Sequence, residues 1–210
     1  MVLDPESVRR ALQAHPRVEV PPLPGRRNHQ RAGVLVPLRL GPEPMTILTG
    51  RTRHLSNHAG EVCFPGGRPE QEDRSLEDTA VREAREELAI QRPTVLGRLS
   101  SVPLYTSDYR LEPFVARVGD APLVPDPGEV DRVFRVPLAA LLDRPFLHGA
   151  PWTQAGETTL SPIFEVDDAL VYGGTAYVLL ELLTVLAPLL GRHVPPLRAG
   201  KHTWDRIFGS

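Results

Sequence analysis

The chain is poor in cysteine, in lysine and in long apolar runs, and each shortage excludes something. A single cysteine, Cys63, can neither close an internal disulfide nor supply a zinc site of several thiolates. Such usage fits a reducing compartment, so the cytoplasm is the expected location. Lys201 is the one lysine among 24 basic residues. Arginine is the better bidentate partner for phosphate, although arginine used this uniformly is also what a compositional habit produces. Basic and acidic residues nearly cancel, with a formal net charge of −2. No overall field therefore draws the chain to nucleic acid or to an anionic membrane. The longest apolar stretch, 175–190, contains Glu181 and Pro188 and falls short of a bilayer span; it is expected to be a buried helix. Asp4, Glu6, Arg9 and Arg10 have no apolar run behind them, unlike a secretory leader or anchor. Phe208-Gly209-Ser210 is not a peroxisomal signal.

What is present suits one folded domain: 210 residues, 41% of them hydrophobic, with 23 prolines and 17 glycines that call for many loops. Asp4-Pro5-Glu6 places a capping side chain before a proline in a first helical turn, and Val8, Ala11 and Leu12 follow at helical spacing, which predicts a helix over 5–14. Pro21-Pro22-Leu23-Pro24-Gly25 then acts as a linker. Apolar, β-branched runs at 32–40 and 46–49, separated by Gly41-Pro42-Glu43-Pro44, read as two strands joined by a turn. Further strands are expected at 94–102, 111–118 and 130–136. The mixture indicates an α/β or α+β fold.

The clearest helix spans 75–88, with Ser75 as its cap and acidic residues in its first turn. At about 100° per residue, Ala80, Ala84 and Leu88 form one stripe, and Glu83, Glu86 and Glu87 fall together on the adjacent one. Eight of the 26 carboxylates lie between Glu70 and Glu87. Like charges three and four apart on a helix repel by a few tenths of a kcal/mol per pair, roughly, so a counter-charge is needed. Arg82 and Arg85 could supply it on a solvated surface; a hard dication such as Mg²⁺, which prefers carboxylate oxygens, is the other way to supply it.

Upstream of this helix, Phe64-Pro65-Gly66-Gly67 offers backbone that a ligand can approach closely. Together with Arg82-Glu83-Ala84-Arg85-Glu86-Glu87, this loop resembles the Nudix hydrolase signature. Asp73 stands where the signature has its first Glu, the gap to Arg82 is one residue longer, and Ala89 replaces the usual Gly before Ile90. Leu48-Thr49-Gly50-Arg51 and His58-Ala59-Gly60-Glu61-Val62-Cys63-Phe64-Pro65-Gly66-Gly67 are similar to an extra motif of the coenzyme A pyrophosphatase branch of that family. The longer box, Thr79-Ala80 and Tyr172-Gly173-Gly174-Thr175-Ala176 resemble the same branch. Ser56 and Thr52 depart from it, Ser56 standing where the branch has Arg; Arg53 is then the residue expected to meet a phosphate instead.

The resemblance implies an α/β/α sandwich around a mixed sheet over 31–190, preceded by a helix and lead-in at 1–30 and followed by an extension at 191–210. It implies cleavage of the pyrophosphate of coenzyme A or its thioesters, with Mg²⁺ or Mn²⁺ to screen the diphosphate and lower the pKa of the attacking water. ADP-ribose, a dinucleoside polyphosphate or a damaged nucleotide is the alternative substrate. A catalytically silent nucleotide-binding module is a third reading, disfavoured by the retained carboxylates. By the same resemblance Glu83 and Glu87 hold the metal with the carbonyl of Gly66, and Glu86 completes the cluster or positions water. Glu129, ahead of a strand, is a candidate metal ligand or base. Arg82 is expected to pair with the helix carboxylates and hold their rotamers. Asp73 either fills the acidic position of the box or solvates the loop.

Gly67, Arg31, Arg51 and Arg53 are candidate substrate contacts, with Arg26 and Arg27 less so. A zinc site from His54, His58 and Cys63 is disfavoured because that stretch reads as loop. Cys63 has no evident base nearby in sequence and reads as a small packed residue rather than a nucleophile. Trp152, Trp204 and the tyrosines are too scattered in sequence to define a stacking platform for adenine.

Overall fold

The computed structural model describes residues 3–52, 60–154 and 156–208, Gln154 by its backbone alone. In chain order the elements are α1 (Pro5–Ala14), β1 (Gln30–Arg39), β2 (Met45–Arg51), β3 (Val62–Cys63), β4 (Gly66–Gly67), α2 (Leu76–Leu88), β5 (Thr94–Arg98), β6 (Val102–Pro103), β7 (Tyr109–Arg117), β8 (Val130–Pro137), α3 (Leu138–Leu142), β9 (Leu147–Gln154), β10 (Glu157–Val166), β11 (Ala169–Val171), α4 (Gly173–Leu186), β12 (Leu197–Ala199) and α5 (Trp204–Phe208). The expected helix at 5–14 forms, and Asp4 accepts the Ser7 N–H at 2.9 Å to close its first turn. Strands β1 and β2 pair antiparallel around the expected turn, Leu38 opposite Thr46.

The first eight strands make one sheet, ordered β3-β2-β1-β7-β5, with β4 beside β1, β6 beside β7 and β8 beside β2. Because β1 and β7 run parallel from Gln30↔Tyr109 to Leu38↔Arg117 while the other pairs are antiparallel, the sheet is mixed. Alternation along the strands sends Leu35, Ile47, Phe114 and Ala116 to one face, against Ala80, Ala84 and Leu88 of α2. Val34, Val36, Leu38 and Val115 go to the other face, with Val8 and Leu12 of α1 and the inner side of α4. The result is the expected α+β sandwich, helices on both faces of a mixed sheet. Gly33 lets α2 lie tight on β1, since a Cβ there would collide with the Leu76 carbonyl.

Two expectations change. The strand expected over 94–102 divides into β5 and β6, because the chain turns aside between them to serve Glu181: both Glu181 carboxylate oxygens accept the Ser100 N–H at 3.0 Å. The helix expected over 175–190 starts earlier, at Gly173, and ends at Leu186, with 188–190 continuing as a 3-10 turn that Pro188 opens. It is buried as expected.

A second sheet, ordered β11-β10-β9-β12, did not emerge from the sequence. Its two long strands carry Pro151 and Pro162, which argue against strand structure in a sheet interior. The register resolves this. Strand β12 pairs with β9 only over 147–149, and β11 pairs with β10 only over 164–166, so each proline has a neighbour on one side alone. β12 and α5 lie in the 191–210 stretch. No described helix is long and apolar enough to cross a membrane.

Candidate active site

The chain crosses from β2 to β1 at Phe64-Pro65, β3 pairing with β2 and β4 with β1. This crossing lays Gly66 and Gly67 beside α2. A side chain at Gly67 would collide with the Glu83 carboxylate, so the backbone of the loop and the acidic turn share one small space. Ser75 caps α2 by accepting the Asp78 N–H at 3.1 Å. That cap fixes where the following turns place their acids.

Glu87 is 2% exposed. Among the described residues its hydrogen-bond donors are distant, the Gly66 N–H at 3.4 Å and the Thr49 hydroxyl at 3.5 Å. Burial pushes its pKa up to about 7, and the charges of Glu83 and Glu129 push the same way. Glu83 is also held above the usual carboxylate range by burial, against the pull of Arg82. Glu86 is half-exposed and accepts from Arg82 at 2.9 Å.

Arg82 ties the cluster together. Its Nε and Nη2 donate to Asp73, its Nη1 to Glu83 at 3.1 Å and to Glu86, and its Nη2 also to the Arg68 carbonyl at 3.0 Å. Asp73 is nearly buried, accepts further from the Thr79 hydroxyl at 2.9 Å, and is held far below the usual carboxylate range by the Arg82 guanidinium.

Glu129 is exposed, 42 residues beyond Glu87 in sequence, yet its charge acts on both Glu83 and Glu87. The reason is a loop stitched to the end of α2. The Asp126 N–H donates to the Glu87 carbonyl at 2.9 Å, the Val124 N–H donates to the Leu88 carbonyl, and the Glu129 carbonyl accepts from the Thr52 N–H at 3.0 Å. Arg51, at the end of β2, is a cation whose charge reaches Glu87 and Cys63; its Nε is buried without a hydrogen-bond partner among the described residues. Arg51 also lines a hollow of about 680 Å³ together with Arg132, Phe134, Tyr172 and Arg206.

Packed carboxylates of raised pKa beside a glycine loop fit a hard dication, which would relieve both their burial and their mutual repulsion. A model of the NUDIX domain matches residues 29–154. The chain belongs to the Nudix family. Over 172 residues it is 35% identical to a Nudix hydrolase NudL of Photorhabdus laumondii, described as uncharacterized, covering 79% of this chain and 91% of that one. Another NudL so described, from Yersinia pestis (strain Pestoides F), is 36% identical over 158 residues, covering 73% of this chain and 78% of that one. Among solved structures, a MutT/nudix family protein from Enterococcus faecalis is similar with a TM-score of 0.49 and 15% identity, covering 85% of this chain and 66% of that one. The NUDIX domain of Shewanella oneidensis NrtR complexed with ADP ribose has a TM-score of 0.45 and 22% identity, covering 54% of this chain and 75% of that one. This Nudix hydrolase is thus an enzyme of a family that hydrolyses pyrophosphate bonds with divalent cations.

The residues expected to act together in this Nudix hydrolase divide into three groups. Glu83, Glu86, Glu87, Gly66, Gly67, Arg82 and Glu129 are brought to one place, with Arg51 beside them. Arg31 faces a different hollow: its guanidinium is held by Glu112 at 2.6 Å and Glu19 at 3.0 Å, and it lines the recess around Arg110 and Asn28. Arg53, Ser56, His54 and His58 lie outside the described residues. Cys63 packs as expected, its thiol pushed up to about 11 by burial. Asp73 is more than a loop-solvating acid, because it anchors Arg82.

Several of the aromatic residues meet in space. Scattered in sequence, they form a chain of ring contacts in space: Tyr105 to Trp152 at 4.8 Å, Trp152 to Trp204 at 5.9 Å, Trp204 stacked on Phe208 at 5.8 Å, and Phe208 to Tyr172 at 5.7 Å. The second sheet and α5 bring them together. No local sequence signal marks such a group, because its members sit on four different stretches of chain, only Trp204 and Phe208 sharing one.

Proposed function

We propose that this protein hydrolyses the pyrophosphate of coenzyme A or its thioesters, giving 3′-phosphoadenosine 5′-phosphate and 4′-phosphopantetheine or its acyl form. The observation that carries this reading is Arg51. It belongs to the stretch that resembles the coenzyme A branch, its charge reaches buried Glu87, and it lines a hollow together with Arg206, Asp131 and the ion pair of Arg132 with Asp168. The hollow is within the size range of small-molecule sites, roughly 300–1,000 Å³. The guanidinium groups of Arg51 and Arg206 suit a phosphorylated ligand.

Glu83 and Glu87, with the Gly66 carbonyl and Glu86, are the residues that would hold Mg²⁺ or Mn²⁺. Such a bound dication screens diphosphate charge and acidifies water. Arg82 positions Glu83 and Glu86 from its seat on Asp73. Arg51 binds and orients a phosphoryl oxygen. Glu129, exposed at the mouth of the cluster, takes up the proton of the attacking water. The P–O–P bond breaks, the water oxygen stays on one phosphorus, and the other phosphate leaves with its bridging oxygen.

Ser56, standing where the branch has Arg, favours a second reading: another nucleoside diphosphate derivative such as ADP-ribose. A substrate panel with and without divalent cations, run in H₂¹⁸O with mass-spectrometric product analysis, separates the two. Metal-dependent release of 3′-phosphoadenosine 5′-phosphate, abolished in Glu83→Gln, is the expected result. Coenzyme A ranking below ADP-ribose in kcat/KM would overturn the first reading in favour of the second.

A further inference from the structure

A second group of side chains of metal-ligating type, two histidines and a glutamate, gathers at the second sheet. His148 of β9 stands opposite Ile163 of β10, and Glu165 is two residues further along β10, which the two-residue period places on the same face. His202 follows β12, which is held against β9 by the pairing of Arg198 with His148. His202 Nε2 is 2.7 Å from Glu165 Oε1, and His148 Nε2 is 3.9 Å from Glu165 Oε2. The two rings meet edge to face at 5.2 Å. One ligand atom from each of the three residues lies within 4.8 Å of the others. His148 Nδ1 is buried against Gly200 with no hydrogen-bond partner among the described residues, so Nε2 is the nitrogen presented to the cluster.

We propose that His148, Glu165 and His202 bind a zinc-type divalent cation, at a site separate from the carboxylates of α2. Two imidazoles and one carboxylate suit zinc and disfavour magnesium, which prefers an all-oxygen shell. Metal–nitrogen distances of about 2.0–2.1 Å require ligand atoms roughly 3.3 Å apart, so the wider separations, none above 4.8 Å, must shorten by up to about 1.5 Å and the His202–Glu165 hydrogen bond must open on binding. Lys201 competes for the same carboxylate: its Nζ is 2.7 Å from Glu165 Oε1. Its side chain is 63% exposed and its flexible stem can withdraw into water. A cation here joins β9, β10 and the segment leading into α5, whose Arg206 and Ile207 wall the hollow beside Arg51. The proposal does not depend on which substrate the α2 site takes.

The test uses the full chain with Glu83→Gln and Glu87→Gln, which removes binding at α2, after chelator treatment. Zn²⁺ is titrated by calorimetry, and Co²⁺ is added as a spectroscopic probe. One equivalent of Zn²⁺ should bind, with a tetrahedral Co²⁺ spectrum and a Tm rise of roughly 5–10 °C at a free concentration a hundredfold above Kd. His148→Ala and His202→Ala should each weaken binding by about a hundredfold or more. Lys201→Ala should tighten it, whereas loss of a merely structural ion pair would leave it unchanged. Absence of a saturable equivalent, or binding that survives both histidine substitutions, overturns the proposal. If the histidine variants fail to fold, Lys201→Ala decides: tighter binding supports the site, and unchanged or weaker binding overturns it.

Discussion

Arg82 grips Asp73 with two nitrogens, Nε to Oδ1 at 3.1 Å and Nη2 to Oδ2 at 2.9 Å, and extends Nη1 to Glu83 and Glu86. One nearly buried carboxylate thereby sets the position of two others through a rigid planar group. Asp73→Asn should weaken divalent binding and lower kcat by about 10- to 100-fold, with Asp73→Glu recovering part of it. Metal titration and kcat at saturating metal are the measurements. Because Arg82 depresses the folded-state pKa of Asp73, its stabilisation is present above the ordinary carboxylate pKa and lost as pH falls through the depressed value. Denaturant unfolding should show Asp73→Asn less stable than the wild type by about 2–3 kcal/mol at pH 7, the difference fading as pH falls below about 4.

Glu87 presents the opposite balance, a carboxylate desolvated without a close donor among the described residues. Its folded pKa is raised to about 7, so without divalent cations its unfavourable ionisation develops as pH rises from about 4 through 7. Glu87→Gln should therefore raise Tm by a few degrees in chelator at pH 8, have little effect on Tm at pH 4, and abolish the activity that divalent cations support at pH 8. Equal Tm values at pH 8 would show that ionised Glu87 is compensated in the metal-free protein.

Gly67→Ala should displace the Glu83 carboxylate, since the added methyl occupies its place. A loss of about 10- to 100-fold in divalent affinity is expected. Global stability should change less, because the displaced group is a partly exposed side-chain end and not backbone. Parallel metal titrations and melting curves separate the two effects.

Arg51 and Arg31 should behave differently despite their similar promise in sequence. Arg51→Ala should raise KM for the diphosphate substrate by about tenfold or more, as loss of a charge-assisted contact does. Arg31→Ala should leave KM nearly unchanged and lower stability by about 1–3 kcal/mol, because buried Glu112 would keep Arg98 and Ser101 but lose one donor.

Local patterns identified the elements whose residues serve one face at a time. The cap at Ser75 and the stripe Ala80, Ala84, Leu88 marked α2, and the same helical period grouped Glu83, Glu86 and Glu87. The second sheet carries no such local mark, because Pro151 and Pro162 are tolerated only where a neighbouring strand stops short, a matter of register between distant segments. The His148, Glu165 and His202 cluster was missed for the same reason, its members being drawn from two strands and a later turn.

Helical phase, capping chemistry and the glycine pair were written in consecutive residues, so the sequence alone determined that three acids share one turn of helix beside a close-approach loop. Only the tertiary structure decided that Asp73 would seat Arg82, that Glu129 would return to the acids, and that Arg31 and Arg51 would face different hollows. Those outcomes depend on loops pinned by backbone hydrogen bonds and on strand pairing between segments far apart in the chain, which no short window of sequence encodes.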